Sequence, residues 1–178
     1  MRQVLVLFIL IFSTLISAQT NLQLYKIIDS VSEKRIQEDI KTLVNFGTRN
    51  TFSDTISNTK GIGAARRWIK SEFESISKNC NNCLDVLYQK DFVTKKGNNR
   101  VPHDAWVVNV LAIQKGSKYP NRYVIMSGDI DSRASDTMDF TTDAPGANDN
   151  ASGMAGTIEA SRVLSNYQFE NSIIYVGL

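Results

Sequence analysis

Two stretches of the chain repeat apolar residues at the spacing of an amphipathic helix. The first begins near Ser30 and Glu33, which have the spacing of a capping box, and ends at Gly47, where a helix C-terminus is expected. Its apolar stripe consists of Ile36, Ile40, Leu43 and Val44. The stripe of the second consists of Ile62, Ala65, Ile69, Phe73 and Ile76. The sequence therefore predicts two helices ahead of residue 80, each with one buried face.

Extended character dominates the next part of the chain. Apolar and β-branched runs occupy 84–88, 106–113 and 123–126, and the turn-forming residues 115–117 separate the last two. We expect those two runs to pair as neighbouring strands. A third amphipathic helix follows at 153–165, and a final apolar strand covers 172–178.

The order of strand 123–128, helix and strand 172–178 is that of a βαβ unit, whose two strands run parallel. The fold class predicted from this order is α/β, with helices packed on the faces of the sheet. Ligands of such sheets bind outside the carboxyl ends of the strands. That rule directs attention to the loop that begins at Asp129.

The N-terminal segment 1–18 has the pattern of a signal peptide. Arg2 precedes an unbroken apolar run from Val4 to Phe12, and small residues including Ala18 stand where a signal peptidase cleaves. An uncleaved membrane anchor is the alternative, but the run is shorter than the roughly 20 residues of a spanning helix. We expect cleavage near Ala18, a secreted or periplasmic mature protein, and no membrane partner afterwards.

Composition and charge narrow the function classes. Lys and Arg number 20 against 18 Asp and Glu, a net charge of +2, and loss of Arg2 with the leader lowers it by one. This balance argues against a nucleic-acid partner. With two cysteines and one histidine, the chain has neither a cysteine-dense scaffold nor a four-cysteine zinc site.

Acidic residues concentrate in the loop after the strand at 123–128. Arg133 is the only basic residue between positions 129 and 149. Six carboxylates lie in the same interval: Asp129, Asp131, Asp136, Asp139, Asp143 and Asp149. Carboxylates crowded at a strand end repel one another unless water, donors or a cation compensates. Their oxygens suit magnesium, calcium, manganese or zinc, while a solvated acidic loop without a ligand is the alternative.

Asp149 lies in a run of small residues just before the third helix. Such residues permit sharp turns and close backbone approach. We expect this turn to bring Asp149 back to the edge of the sheet beside Asp129 and Asp131.

Two segments resemble the dinuclear-zinc exopeptidases of the bacterial leucine aminopeptidase family. They are 127–133 (Ser-Gly-Asp-Ile-Asp-Ser-Arg) and 143–153 (Asp-Ala-Pro-Gly-Ala-Asn-Asp-Asn-Ala-Ser-Gly). The segment 46–49 and the helix at 61–73 are also similar to that family, so the resemblance covers nearly all of 19–178. It implies a three-layer sandwich around a mixed, mainly parallel sheet. It also implies two zinc ions that activate water to hydrolyse the N-terminal bond of a peptide or protein substrate.

The resemblance assigns roles to three positions. Asp149 matches the aspartate that bridges the metals. Asp131 matches the catalytic-site aspartate that orients a metal ligand without binding the metal itself. Asp129 stands where the family has a histidine ligand. A carboxylate also binds zinc, but it adds negative charge and carries no N–H for Asp131 to accept. We therefore expect an altered metal preference, shifted toward harder ions.

Other members of the family's site have no counterpart in this chain. The general-base glutamate, the adjacent glutamate ligand and later aspartate and histidine ligands would follow the strand at 172–178. His103 lies outside any matching motif and is expected to be a surface or packing residue. The resemblance therefore describes 19–178 as the N-terminal portion of a catalytic domain, with little activity alone. An apolar strand at the C-terminus, exposed as an edge, is consistent with truncation.

Cys80 and Cys83 enclose two residues. A structural disulfide is favoured in an exported chain, stabilising by roughly 2 kcal/mol or less. A redox pair and half of a metal site are alternatives, although a redox pair prefers a helix N-terminus.

The sequence leaves three functional hypotheses open. An exported metallo-aminopeptidase leads. The sequence Asp129-Ile130-Asp131 after an apolar strand is also typical of haloacid-dehalogenase phosphatases, but Arg133 stands where they carry threonine or valine. A non-catalytic metal-binding module, or a degenerate inactive homologue, is the third.

Overall fold

The computed structural model describes residues 21–97, 100–136 and 138–178, so the predicted signal peptide lies outside the described residues. The chain divides into two compact units at Ser30, and each is described by itself. The first contains helix α1 (Leu22–Asp29), which Asn21 caps through its side-chain oxygen. No helix in the described ranges is long and apolar enough to span a membrane.

The second unit contains three helices and four strands. The helices are α2 (Glu33–Asn45), α3 (Gly61–Asn79) and α4 (Ser152–Leu164). The strands are β1 (Leu84–Val93), β2 (Ala105–Gln114), β3 (Tyr119–Gly128) and β4 (Asn171–Gly177). Each predicted element exists, and the strands begin earlier or end later than the apolar runs alone indicate. Helix α2 begins at Glu33 with Ser32 as its cap, because the Ser32 hydroxyl accepts from the Arg35 N–H, so the expected cap at Ser30 is wrong.

The sheet is mixed and has the order β1-β2-β4-β3. Strands β3 and β4 pair in parallel across α4, as the βαβ pattern predicts. The expected pairing of β2 with β3 is wrong, because β4 lies between them and pairs antiparallel with β2. Strand β4, with its buried core residues Ile173 and Tyr175, is better suited to this interior place than β3. The final strand is therefore not the exposed edge that the sequence suggested.

The α/β class with a mixed sheet is confirmed. Two of the three strand pairings among the described residues are antiparallel, so the mainly parallel sheet implied by the resemblance is not seen in this part. One continuous core joins α3 and α4 to one face of the sheet, and α2 packs on α4. That core includes Phe73, Val110, Met154 and Tyr175. The other face carries half-exposed apolar side chains, so the described residues form two of the three layers expected.

Cys80 and Cys83 form a disulfide at the C-terminus of α3. The preferred prediction for this pair is confirmed. Both sulfurs are used in the bond, so neither acts as a thiolate ligand for a metal.

Candidate metal-binding site

The site is built where β3 ends. The Ile130 N–H donates to the Leu178 carbonyl at 2.8 Å, and the Leu178 N–H donates to the Gly128 carbonyl at 3.1 Å. These bonds extend the parallel pairing beyond both strands. Ile130 is buried in the core, so the alternation of an extended chain directs Asp129 and Asp131 away from it.

Arg49 holds this loop in place from the inside. Its side chain is fully buried, and its Nε donates to the Ile130 carbonyl at 2.8 Å. The two terminal nitrogens donate to the carbonyls of Leu43, Pro145 and Gly146 at 2.7–3.1 Å. One guanidinium therefore connects helix α2, the loop after β3 and the turn before α4.

Ser132 reinforces the same junction. Its hydroxyl accepts from the Arg49 N–H at 2.9 Å and donates to the Ala144 carbonyl at 2.6 Å. Ser132 and Ala144, near the two ends of the acidic loop, are thereby fixed to Arg49. The loop between them remains at the surface, where Asp139 accepts from the backbone of Thr141 and Thr142.

The turn that carries Asp149 is a kinked helical turn over Ala147–Ala151. It begins at Gly146, whose φ of +49° favours glycine, and the Ala151 N–H donates to the Gly146 carbonyl at 3.0 Å. A Cβ at Gly146 would come within 2.6 Å of the Asp149 carbonyl oxygen. Asp149 itself has non-helical backbone angles and an exposed side chain.

The electrostatics connect the three predicted site residues. Burial raises the pKa of Asp131, and the negative charges of Asp129 and Asp149 act in the same direction. The Thr51 hydroxyl, which donates to Asp131 Oδ2 at 3.4 Å, and the Arg49 guanidinium oppose this rise. The charge of Asp149 on the turn before α4 thus adds to the rise in the pKa of Asp131.

The donors differ in exposure. Asp129 and Asp149 are exposed, whereas Asp131 is half-buried. Among the described residues, no group of three or more His, Cys, Asp or Glu side chains is arranged to hold a metal ion. Carboxylate oxygens are suitable ligands for a hard or borderline cation. The described residues, however, supply too few of them to complete a metal site.

A small cavity of about 180 Å³ opens beside these carboxylates. Its lining includes Asp129, Asp131, Thr51, Arg66 and Leu178. His103 is not among these residues. Its ring lies edge-on to the rings of Phe52 and Phe140, with centroids 5.5 and 5.4 Å apart, so the predicted packing role is supported.

The segment that builds this site also carries the relation to known proteins. Residues 109–178 match the sequence model of Peptidase family M28. The M28 match begins within β2 and continues through β3, the acidic loop, α4 and β4, and so contains all three predicted site residues. The resemblance to the zinc exopeptidases is confirmed, and the match favours a peptidase over a phosphatase.

Relatives found by sequence are named probable zinc metalloproteases. A probable zinc metalloprotease of Pyrenophora teres f. teres is 42% identical over 152 residues, which are 85% of this chain and 31% of the relative. The chain therefore spans about a third of that relative's length. Zinc is the metal that this M28 relationship implies.

Solved structures share the fold at low sequence identity. The Legionella pneumophila LapA aminopeptidase matches with a TM-score of 0.63 and 15% identity, over 90% of this chain and 37% of LapA. A Macrostomum lignano glutaminyl cyclase matches with a TM-score of 0.65 and 13% identity, over 92% of this chain and 42% of the cyclase. An aminopeptidase and a cyclase have this fold in common, so the fold alone does not choose the reaction.

No pattern in the sequence indicated a role for Arg49, Thr51 or Arg66. Arg49 ends the segment 46–49 that resembles the exopeptidases, and this was the only available signal. Thr51 and Arg66 are far from the acidic loop in the chain. Only folding places them beside Asp131.

Proposed function

We propose that this chain is the N-terminal portion of an exported, zinc-dependent exopeptidase of the aminopeptidase type. The observation that supports the proposal is that Asp129, Asp131 and Asp149 all lie in the segment that matches family M28, and that the charges of Asp129 and Asp149 both raise the pKa of Asp131. Peptides and proteins with a free N-terminus are the proposed substrates. The remaining ligands and the general base would come from the part of the relatives that this chain does not span.

The roles proposed for the three residues follow from their positions. Asp149, exposed on the turn before α4, and Asp129, exposed after β3, offer carboxylate oxygens to a cation, and two ions are proposed for the complete site. Zinc bound at such a site lowers the pKa of water and polarises a carbonyl. Asp131 is a positioning residue, because it is half-buried and is held by Thr51. A nearby cation would counteract the mutual repulsion of the carboxylates.

Zinc binding is tested by titration calorimetry on the chain and on two variants. Asp149→Asn should weaken zinc binding at least tenfold. Asp143→Asn is the matched control, because Asp143 is exposed in the same loop and should leave the affinity unchanged. Equal losses in both variants would show that the loop attracts cations only through its net charge.

Peptidase activity requires the remainder of the site. A chimera places residues 19–178 in front of the part of the Pyrenophora teres relative that this chain does not span. We expect it to hydrolyse an aminoacyl-nitroanilide, and we expect Asp149→Asn to abolish that activity. A folded chimera, checked by its thermal melt, that binds zinc but cleaves nothing would refute the aminopeptidase proposal.

Export is tested separately. Residues 1–24 fused to a reporter enzyme should direct it out of the cell, with the mature N-terminus at Gln19. Retention of the reporter inside the cell, or an uncleaved leader, would contradict export.

A non-catalytic metal-binding module is the second candidate. It is favoured by the donors at this site, which are all carboxylate oxygens, the ligands that calcium prefers. Thermal melts with calcium and with zinc separate the two candidates. A rise in melting temperature specific to calcium supports the binding module, and a rise specific to zinc supports the peptidase.

A further inference from the structure

A second and larger cavity lies next to the carboxylate site. Its volume is about 580 Å³, which is within the range of small-molecule sites. One wall is the start of helix α3, and the other is formed by β1 and β2. Arg66, Thr51 and Val108 line both this cavity and the smaller one beside Asp129 and Asp131, so the two spaces are adjacent.

The strand register explains why side chains of β1 and β2 face this space. Lys90 pairs with Val108 and Tyr88 pairs with Val110, and Val110 lies on the sheet face that packs on α3. Residues two apart along a strand share a face. Lys90 and Trp106 therefore continue the helix-facing side of the hairpin toward the site, and both line the cavity.

Positive charge predominates in the lining. Arg66, Arg67 and Lys90 contribute cations, and Asp104 contributes one carboxylate. Arg67 already donates to the backbone carbonyls of residues 55–57. Lys90 lies over the Tyr88 ring, with its Nζ 5.8 Å from the centroid. The side chain of Lys90 is exposed and can turn toward a ligand.

Arg66 is the unusual residue of this cavity. It is only 7% exposed, and its Nε is buried without a hydrogen-bond partner. Burial lowers the pKa of Arg66 to about 10, and the attraction of Asp131 opposes that shift, so the group stays charged at neutral pH. A buried, charged donor without a partner is costly, and such groups call for a functional explanation. The Arg66 side chain lines the cavity, so an anion bound there would compensate its buried positive charge.

Carboxylate is the anion that a peptide substrate carries. We infer that the cavity lined by Arg66 and Lys90 is a subsite for a carboxylate of the substrate, adjacent to the bond presented to Asp129 and Asp149. The substrate class is then peptides that carry a carboxylate close to the cleaved bond. The substrate class rests on the proposed function, because it assumes that the chain is part of a peptidase. The carboxylate site itself is inferred only from Arg66 and the cavity.

The experiment measures the binding of three dipeptides that differ in their side-chain and C-terminal groups, each of which is a carboxylate or an amide. A chelator is present, so that zinc does not contribute to binding. Glycyl-glutamate amide carries only a side-chain carboxylate, glycyl-glutamine carries only a terminal carboxylate, and glycyl-glutamine amide carries neither. Trp106 is the fluorescent reporter, because it lines the cavity, whereas Trp68 packs against Phe46. At least one carboxylate peptide should bind tenfold more tightly than the neutral amide, and which one does identifies the source of the carboxylate.

The variants test the residues. Arg66→Gln should weaken binding of the preferred peptide at least tenfold, and Lys90→Gln should weaken it about threefold. Lys115→Gln, an exposed lysine outside the cavity, should leave it unchanged. If Arg66→Gln does not fold, Lys90→Gln decides, because its side chain is exposed and its loss should not affect folding. Equal binding of the neutral amide, or undiminished binding by Lys90→Gln and a folded Arg66→Gln, would overturn the subsite.

The two proposals fail separately. Carboxylate binding without zinc binding or peptidase activity would refute the peptidase and leave the subsite standing. Zinc-dependent hydrolysis without preference for a carboxylate would refute the subsite and leave the peptidase standing.

Discussion

At the scale of single residues, Arg49 holds together the segments that form the site. Its guanidinium donates to four backbone carbonyls that belong to three separate segments. A planar fork of five N–H groups satisfies such a set, whereas a lysine offers three donors on one nitrogen. Burial lowers the pKa of Arg49 to about 10, which leaves it charged at neutral pH.

Arg49→Lys should therefore lower the free energy of unfolding by about 2–4 kcal/mol, because several buried carbonyls lose their donor. Urea denaturation at pH 7 measures this loss. Arg133→Lys, in the exposed part of the acidic loop, is the control and should change stability by less than about 0.5 kcal/mol. A loss of similar size in both variants would mean that the carbonyl contacts of Arg49 contribute little.

Asp39 gives the protein a specific pH dependence. It is buried on α2, its Oδ2 has no hydrogen-bond partner, and burial together with Glu72 raises its pKa to about 6. Between about pH 4 and pH 6 the folded protein holds a proton that the unfolded chain has released. The stability from this group is therefore full below about pH 4 and is lost as the pH rises through 6.

Asp39→Asn should raise the free energy of unfolding at pH 7 by about 2 kcal/mol and give a flatter pH profile between pH 4 and 6. Thermal melts of both proteins across that range measure the difference. Glu33→Gln, exposed in the first turn of α2 and not among the charges that shift the pKa of Asp39, should keep the wild-type profile. A stability difference between Asp39→Asn and wild type that does not change with pH would contradict this assignment.

At the scale of elements, the contact between the end of β3 and the start of α4 positions the acidic residues. A Cβ at Gly128 would lie 2.4 Å from the Met154 backbone nitrogen. Only a glycine permits this approach, which sets the spacing between Asp129 on one element and Asp149 just before the other. The disulfide after α3 is at the opposite end of that helix from Arg66 and does not contribute to this contact.

Gly128→Ala should lower the free energy of unfolding by about 1–3 kcal/mol, because strand and helix must move apart. It should also weaken zinc binding. Gly156→Ala is the matched control within α4, since its Cβ would meet nothing within 4 Å. The control should be more stable than wild type by about 0.5–1 kcal/mol, because alanine has a higher helix propensity than glycine. Chemical denaturation shows whether the free energy of unfolding falls in Gly128→Ala and rises in Gly156→Ala.

At the scale of the whole molecule, one face of the sheet lacks a covering layer among the described residues. Ile125, Ile174 and Ile113 lie opposite one another across β3, β4 and β2, and Ile125 is 64% exposed. Tyr123 on the same face is 55% exposed. Because β3 is an edge strand, this apolar face adjoins unpaired backbone groups, a combination that promotes association.

The chain should accordingly self-associate as its concentration rises. Ile125→Lys should shift sedimentation-velocity profiles toward the monomer, since a charge on an edge strand opposes pairing. Lys118→Gln, exposed at the surface where β3 begins, is the control and should not reduce association. A wild-type chain that is monomeric at all concentrations would disprove this expectation.

The sequence predicted most of the fold because apolar periodicity reports which face of an element is buried. It predicted the parallel βαβ unit and the elements that carry Asp129, Asp131 and Asp149. It did not predict that β4 separates β2 from β3. An interior strand must pair with a neighbour on each of its two edges, and local periodicity does not show which strand does so. The disulfide was predicted from the spacing of the two cysteines together with the expected export of the chain, and the structure contains it.

The sequence by itself determined the residue types of the site: carboxylates after a buried strand and before a helix, within a segment that matches family M28. Local order along the chain suffices for this, because both segments adjoin elements whose periodicity is plain. Only the tertiary structure decided what surrounds them. Arg49, Thr51 and Arg66 lie about 65–80 positions before Asp131, and their contacts exist because α3 packs on the sheet while α2 packs on α4. That packing creates the buried cation and the cavity beside the carboxylates.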